Sequence, residues 1–170
     1  AITDGRDVAP TSGAEFIAAL SERLPEGARI ATVTGRYYAL DRDNRWKRVR
    51  AAYMAIVEGH ADHRADSASA AIAAAYGRAE TDEFIAPTLI GDYAGARDED
   101  GVFCLNFRAD RAREILSAIG QPGFEAFNTG PRPAWVALLG MVDYSKAHNA
   151  FMAAMYPKAR IENTLRSWVA

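Results

Sequence analysis

Apolar positions along this chain alternate between helical stripes and short β-branched runs. Phe16, Ile17, Leu20 and Leu24 recur at helical spacing behind Ser12 and Glu15, a capping-box pair, and Pro25-Glu26-Gly27 stops them. Residues 30–34 read as a buried strand with Gly35-Arg36 at its carboxyl edge. Residues 37–44 form a polar, aromatic loop, and Asp43 stands where it can cap the next helix. In that helix Trp46, Val49, Tyr53, Ile56 and Val57 make one apolar stripe, while Arg45, Lys47, Arg48 and Arg50 mostly fall off it and Gly59 ends it. Residues 68–76 predict an alanine-rich helix capped by Asp66 or Ser67. Residues 84–90 read as strand, and Pro87 argues for an edge or irregular piece. A turn at 98–101, a strand at 102–107, a helix at 109–119 and a strand at 135–139 complete the pattern.

Strands alternating with helices predict an α/β layered fold, a three-layer sandwich with a mainly parallel sheet and helices on both faces. Ligands of such folds sit beyond the carboxyl ends of strands. Arg6, Arg36 and Arg108 each follow a strand or turn of that kind.

Composition adds bounds. With 170 residues, 49% hydrophobic and 25% charged, the chain suits one globular domain. A net charge of -2 gives no global pull toward nucleic acid or anionic membrane, and no apolar run approaches a membrane span. The single cysteine, Cys104, reads as a small core hydrophobe and fits a reducing compartment. Three of the 20 Lys+Arg are lysines, which leaves 17 arginines. Arginine binds carboxylate or phosphate through two parallel hydrogen bonds. Codon bias toward GC produces the same excess, so position has to decide. Both ends read as cut: the chain starts at Ala1 on a polar turn, and residues 163–170 begin a helix that stops.

Three constellations could carry chemistry. Gly5-Arg6-Asp7 sets a cation beside a carboxylate; the plainer alternative is a surface turn with a local ion pair, worth ~0–1 kcal/mol. Thr34-Gly35-Arg36-Tyr37-Tyr38 with Asp41-Arg42-Asp43-Asn44-Arg45-Trp46 could converge Arg36 and Arg42 on one ligand, or pair its arginines with Asp41 and Asp43. Asn106-Phe107-Arg108-Ala109-Asp110-Arg111 puts two arginines on one face of a helix start, where cations oppose the dipole unless an anion is present. His60-Ala61-Asp62-His63 has metal-like residue types but reads as a solvated turn, and His148 stands alone. No nucleophile with an evident base and no metal site is legible.

Together these segments resemble the cofactor-independent phosphoglycerate mutases, relatives of the alkaline phosphatases. The match rests on Thr3-Asp4-Gly5-Arg6-Asp7, the motif from Thr34 to Trp46, Tyr53 to Gly59, Asp82-Glu83-Phe84 and Asn106 to Arg111. It is good over roughly residues 2–115, thinner over 116–156, and returns at Pro157 to Val169; Val142-Asp143-Tyr144 departs from the usual Thr-x-Tyr. The resemblance implies a cytoplasmic glycolytic isomerase that interconverts 3- and 2-phosphoglycerate. A serine in a phosphatase-like domain would take the phosphoryl group with two manganese ions. Residues 1–156 would be the inserted substrate-binding domain, without its first strand and helix. Residues 157–170 would be the connector and first helix leading into the absent phosphatase-like domain. Arg6, Arg36, Arg42, Arg108 and Arg111 would grip carboxylate and phosphate. Asp7 would bind the glycerate hydroxyls and act as the catalytic proton carrier. No metal would be held by this segment, which would be inactive alone, and the complete enzyme would be a monomer without nucleic-acid or membrane partners. A stand-alone anion-binding or regulatory module is the competing reading.

Overall fold

The computed structural model describes residues 1–158. The segment 159–170, and with it most of the expected connector at 157–170, lies outside the described residues. In chain order the elements are β1 (Ile2–Thr3), α1 (Gly13–Arg23), β2 (Thr32–Gly35), α2 (Arg36–Ala39), α3 (Trp46–Tyr53), a π-helical turn (Met54–Glu58), β3 (His63–Ala65) and α4 (Ala68–Gly77). There follow a 3-10 turn (Asp82–Phe84), β4 (Thr88–Ile90), β5 (Gly101–Cys104), α5 (Ala109–Gly120), β6 (Ala137–Val142), a 3-10 turn (His148–Ala150) and β7 (Ala153–Tyr156).

The strands divide over two sheets, in the orders β1-β2-β4-β3 and β5-β6-β7. Every ladder is parallel except β2 with β4, which pairs Thr32 with Leu89 and Val33 with Thr88. The α/β, mainly parallel expectation therefore holds, with the strands in two sheets rather than one. Each sheet has its own core. Val33, Ile85 and Ile90 pack with Ile17 of α1 and Ala71, Ile72 and Ala75 of α4. Val49 and Tyr53 of α3 pack with Ala112, Ile115, Leu116 and Ile119 of α5, against Val102, Cys104 and Leu138 of the second sheet. All four residues of β2 are buried, as suits a strand covered on both faces.

Several local expectations are corrected. Ser12 makes no capping bond; its hydroxyl donates back to Ala9 O at 2.8 Å. The first turn of α1 is instead capped from far along the chain, where the buried Asp82 Oδ2 accepts the Gly13 N–H at 2.6 Å. Only one side of α1 is covered, so Phe16 and Leu20 of the apolar stripe stay exposed. Residues 37–39, expected as loop, form with Arg36 the single turn α2. Asp43 does not cap α3; Asp41 Oδ2 accepts the N–H groups of Asp43 and Arg45 at 3.0 and 2.9 Å. Strand β4 is interior, not an edge, because Pro87 stands just before the ladder and removes no bond from it. Ser67 does cap α4, accepting from Ala70 N–H at 3.1 Å. The short strands β1, β3 and β7 carry too few residues for a periodic signal.

Candidate functional site

Strand β2 ends at Gly35 and α2 starts at Arg36. A Cβ on Gly35 would collide with the Glu83 carbonyl, so only glycine lets the 82–84 turn pack against this bend. The bend buries the Arg36 side chain to 7% exposure. A buried guanidinium needs anionic partners. Arg36 Nη1 donates to Asp4 Oδ1 and, at 2.8 Å, to Asp7 Oδ2. Both carboxylates come from the turn after β1, which parallel pairing with β2 brings alongside, Thr3 opposite Gly35. Gly5, at φ 62, makes that turn, and a Cβ there would meet the Glu83 amide nitrogen at 2.6 Å.

Arg108 arrives from the start of α5 and reaches the same Asp7 Oδ2 at 3.5 Å. The carboxyl of Asp7 is held below its ordinary value, first by the hydrogen bond from Arg36 and its charge, then by Arg108 and Arg6. Asp7 is thus a firmly ionised acceptor. One helical turn on from Arg108, Arg111 Nη1 donates to Leu40 O at 3.2 Å. Burial lowers the proton affinity of Arg111, and the charges of Arg42, Arg36 and Arg6 lower it further. Four guanidinium groups from four separate segments therefore feel one another. The Nε atoms of Arg36 and Arg111 are buried and have no hydrogen-bond partner among the described residues.

These side chains line two adjoining clefts. Arg6, Arg36, Arg42, Arg45, Arg48 and Arg111 border one of about 160 Å³, with Tyr37, Asp41, Asp43 and Glu83. Asp7, Arg36, Asn106, Arg108 and Arg111 border the other, of about 400 Å³. Arg36 and Arg111 form the shared wall. All six residues singled out in the sequence are thus brought together. Arg42 is tied to Asp110 Oδ2 at 2.7 Å, and Arg6 approaches Glu83 Oε1 at 3.7 Å. Unspent buried donors facing so much like charge suit an anion of small size, such as a carboxylate or phosphate.

The pattern along the chain did not single out Asp4, Tyr37, Arg48 or Glu114 individually; it offered Asp41 and Asp43 as partners of the loop arginines, and they pair with Arg45 and Arg48. Arg48 lies over the Tyr37 ring, 3.7 Å from its centroid, and approaches Asp41 at 3.6 Å, so it is not part of a wet helix face. A usable signal existed for Asp4: an arginine directly after a buried strand calls for a nearby carboxylate. His60 and His63 border a separate cleft of about 380 Å³ with Lys47 and Arg50. Among the described residues no three His, Cys, Asp or Glu side chains are grouped to hold a metal ion. His148 is buried, its ring held by Ser145 Oγ at 2.8 Å and Arg113 O at 3.0 Å, and burial lowers its pKa.

Comparison with known proteins gives one consistent result. The family model described as the BPG-independent PGAM N-terminus matches residues 1–146. A 2,3-bisphosphoglycerate-independent phosphoglycerate mutase of Cereibacter sphaeroides is 66% identical over 170 residues, covering 100% of this chain and 33% of that protein. The protein of the same name from Paracoccus denitrificans is 62% identical over 169 residues, 99% of this chain and 33% of that one. The crystal structure of Leishmania mexicana phosphoglycerate mutase at low cobalt concentration superposes with a TM-score of 0.86 at 28% identity, covering 94% of this chain and 32% of that chain. The chain spans about one third of the length of these relatives.

Proposed function

Because this chain belongs to the BPG-independent phosphoglycerate mutase family, we propose that it is the part of such an enzyme that holds the glycerate while the phosphoryl group is moved between hydroxyls. The observation that carries the reading is the convergence of Arg6, Arg36, Arg42 and Arg111 on one small cleft, with Asp7 and Arg108 in the next. The substrates are 3- and 2-phosphoglycerate, and the reaction is the glycolytic isomerisation, in the cytoplasm. Residues 1–156 form the substrate-binding domain and 157–170 lead toward a phosphatase-like domain that carries the serine. That second domain is supported by the exposed apolar side chains Phe103 of β5, Leu105 and Phe107 just after it and Val136 just before β6, a surface suited to being covered. The complete enzyme works as a monomer with two manganese ions. The described residues do not fit a manganese site, so the ions would be held by residues elsewhere.

Within this reading the arginines bind the carboxylate and phosphate through paired N–H donors. Phosphoryl transfer needs positioning and charge stabilisation above all, which such a cage supplies. Asp7 accepts hydrogen bonds from the glycerate hydroxyls. Arg36 and Arg108 keep it ionised in the free protein. An arriving anion offsets those same cations and raises the proton affinity of Asp7, so it becomes a better proton acceptor once substrate is seated.

Arg108→Ala in the full-length enzyme tests the assignment. Arg108 is half exposed, and an exposed ion pair contributes ~0–1 kcal/mol, so the melting temperature should stay within a few degrees. Turnover of 3-phosphoglycerate should fall at least ~10–100-fold, the loss of a charge-assisted bond. Unchanged kcat/KM would sink the assignment. Residues 1–170 alone should show no turnover with manganese present.

A further inference from the structure

Behind the arginine cleft, α5 and the 41–45 loop bury two carboxyl groups side by side. Asp41 is 4% exposed and Glu114 is 8% exposed. Asp41 is well supplied with donors: the N–H groups of Asp43 and Arg45 at Oδ2, and the guanidinium groups of Arg45 and Arg48 at 3.5 and 3.6 Å from Oδ1. Glu114 is not. Its Oε1 accepts the Asn44 N–H at 3.0 Å, while Oε2 is buried with no donor among the described residues. No cation pairs with Glu114 among the described residues.

Asp41 and Glu114 stand within hydrogen-bonding reach of each other; two such buried carboxylates cannot both ionise cheaply, and the one without cations is the one that keeps a proton. A protonated Glu114 also resolves its orphaned oxygen, because Oε2–H becomes a donor and Asp41 is the acceptor beside it. We propose that Glu114 is a positioning residue that works in its protonated form, donating to Asp41 and thereby fixing the 41–45 loop, with Arg42, against α5. The proposal rests on the substrate-holding role given above to Arg42.

The geometry favours this division of labour. Asn44 stands at φ 58, a left-handed conformation the loop must hold open, and Glu114 binds its N–H. Arg42 is anchored to Asp110, one turn before Glu114 on the same helix. Losing the Glu114 bridge frees the loop on both sides of Arg42. The charged groups against the pair are Asp43, Arg45 and Arg48 from the loop and α3, and Arg6, Arg36, Arg42, Glu83 and Arg111 share the cleft that Asp41 borders. Burial raises the Glu114 pKa first of all, with the charge of Asp41, the hydrogen bond to it and Asp43 adding, while the Asn44 N–H opposes. Asp41 moves the other way: burial opposes ionisation, but the Arg45 and Asp43 N–H groups lower its pKa overall.

The test uses the full-length enzyme and 3-phosphoglycerate. Glu114→Ala should raise KM about ten- to a hundredfold, as when one charge-assisted contact is lost, with a smaller change in kcat. Glu114→Gln carries a permanent donor for Asp41 and an acceptor for Asn44, and should restore most of the loss. Over about pH 4 to 9, from the ordinary glutamate value to the highest seen for buried ones, the 13C carboxyl resonance of Glu114 should titrate above the ordinary glutamate range. In step with that titration KM should rise in the native enzyme and stay flat in Glu114→Gln. A Gln variant as impaired as Ala, or an ordinary carboxyl titration, overturns the proposal. The resonance is read without turnover, so it stands even if the protein fails to isomerise phosphoglycerate, an outcome that would refute the functional reading instead.

Discussion

Arg36 carries the most constrained charge in the site. Its guanidinium is buried between Asp4 and Asp7, and burial of the charge is more than offset by those two bonds, so its pKa rises. Arg36→Met would leave Asp4 and Asp7 without the cation between them, with Arg108 the remaining ion-pair partner of Asp7. Asp4 and Asp7 are 37% and 58% exposed, so water can reach both, and the cost should be about 1–3 kcal/mol rather than the 3–5 of a fully buried pair. Arg36→Lys keeps the charge but not the fork. Urea denaturation should therefore rank native above Lys above Met, while turnover of 3-phosphoglycerate should be lost in both variants. Activity near the native level in Arg36→Lys would mean that the second N–H bond has no part in binding. At this scale the chain order was informative. Arg6, Arg36, Arg42, Arg108 and Arg111 could be picked out by their places at strand and helix ends. Their mutual approach could not, because they lie up to 105 positions apart.

The elements that hold these residues depend on contacts the local pattern conceals. Helix α1 looks self-capped from Ser12 to Glu15, yet its cap is Asp82, delivered by the 3-10 turn. Asp82 Oδ1 accepts the Tyr76 hydroxyl at 2.6 Å as well, and its own carbonyl accepts from Thr3 Oγ1 at 2.7 Å. The carboxylate of Asp82 thus joins α1 to α4, and its backbone carbonyl ties both to β1. Burial, with the bond to Asp82, pushes the Tyr76 hydroxyl up to about 12, so it remains a donor across the physiological range. Asp82→Ala should cost about 2–6 kcal/mol, the sum of one buried and one part-buried donor left unpaired. The check is the urea midpoint, with an unchanged m-value as evidence that the same fold is being compared. A loss below about 1 kcal/mol would mean that Ser12 can take over the cap. Helices α3 and α5 were legible from their one-sided apolar stripes and α4 from its run of alanines. Strand β4 was misread because proline was weighed without knowing that the ladder begins one residue later.

At the scale of the molecule, carboxylates of opposite behaviour set the response to pH. Asp7, Asp41, Glu80, Asp92 and Asp110 all have lowered pKa values; for Asp7, Glu80, Asp92 and Asp110 the first cause is an arginine hydrogen bond, from Arg36, Arg78, Arg29 and Arg42. A lowered carboxyl binds fewer protons folded than unfolded, so its stabilisation is present above the ordinary carboxylate range and is lost as pH falls through the folded value. Glu114 has the opposite sign: its contribution is full below the ordinary value and fades as pH rises through the raised one. The urea midpoint should therefore fall steeply on acidification below about pH 4. It should also decline on the alkaline side in native protein but less in Glu114→Gln. A flat acid limb would mean that these ion pairs hold equally well in the unfolded chain.

The sequence by itself determined the class of fold, because β-branched runs alternating with amphipathic stripes must bury one face each. It also determined the candidate ligands of an anion, because arginines placed at a helix start or after a strand are costly without one. Tertiary structure decided which carboxylates answer which arginines, that Asp82 and not Ser12 closes α1, and that Glu114 meets Asp41 behind the cleft. Those contacts join residues 29 to 101 positions apart. Helix and strand periodicity reports only neighbours within a few residues, so pairing at that range is set by how the layers stack. The arginine cage was visible as a list of positions; only the fold made it a site.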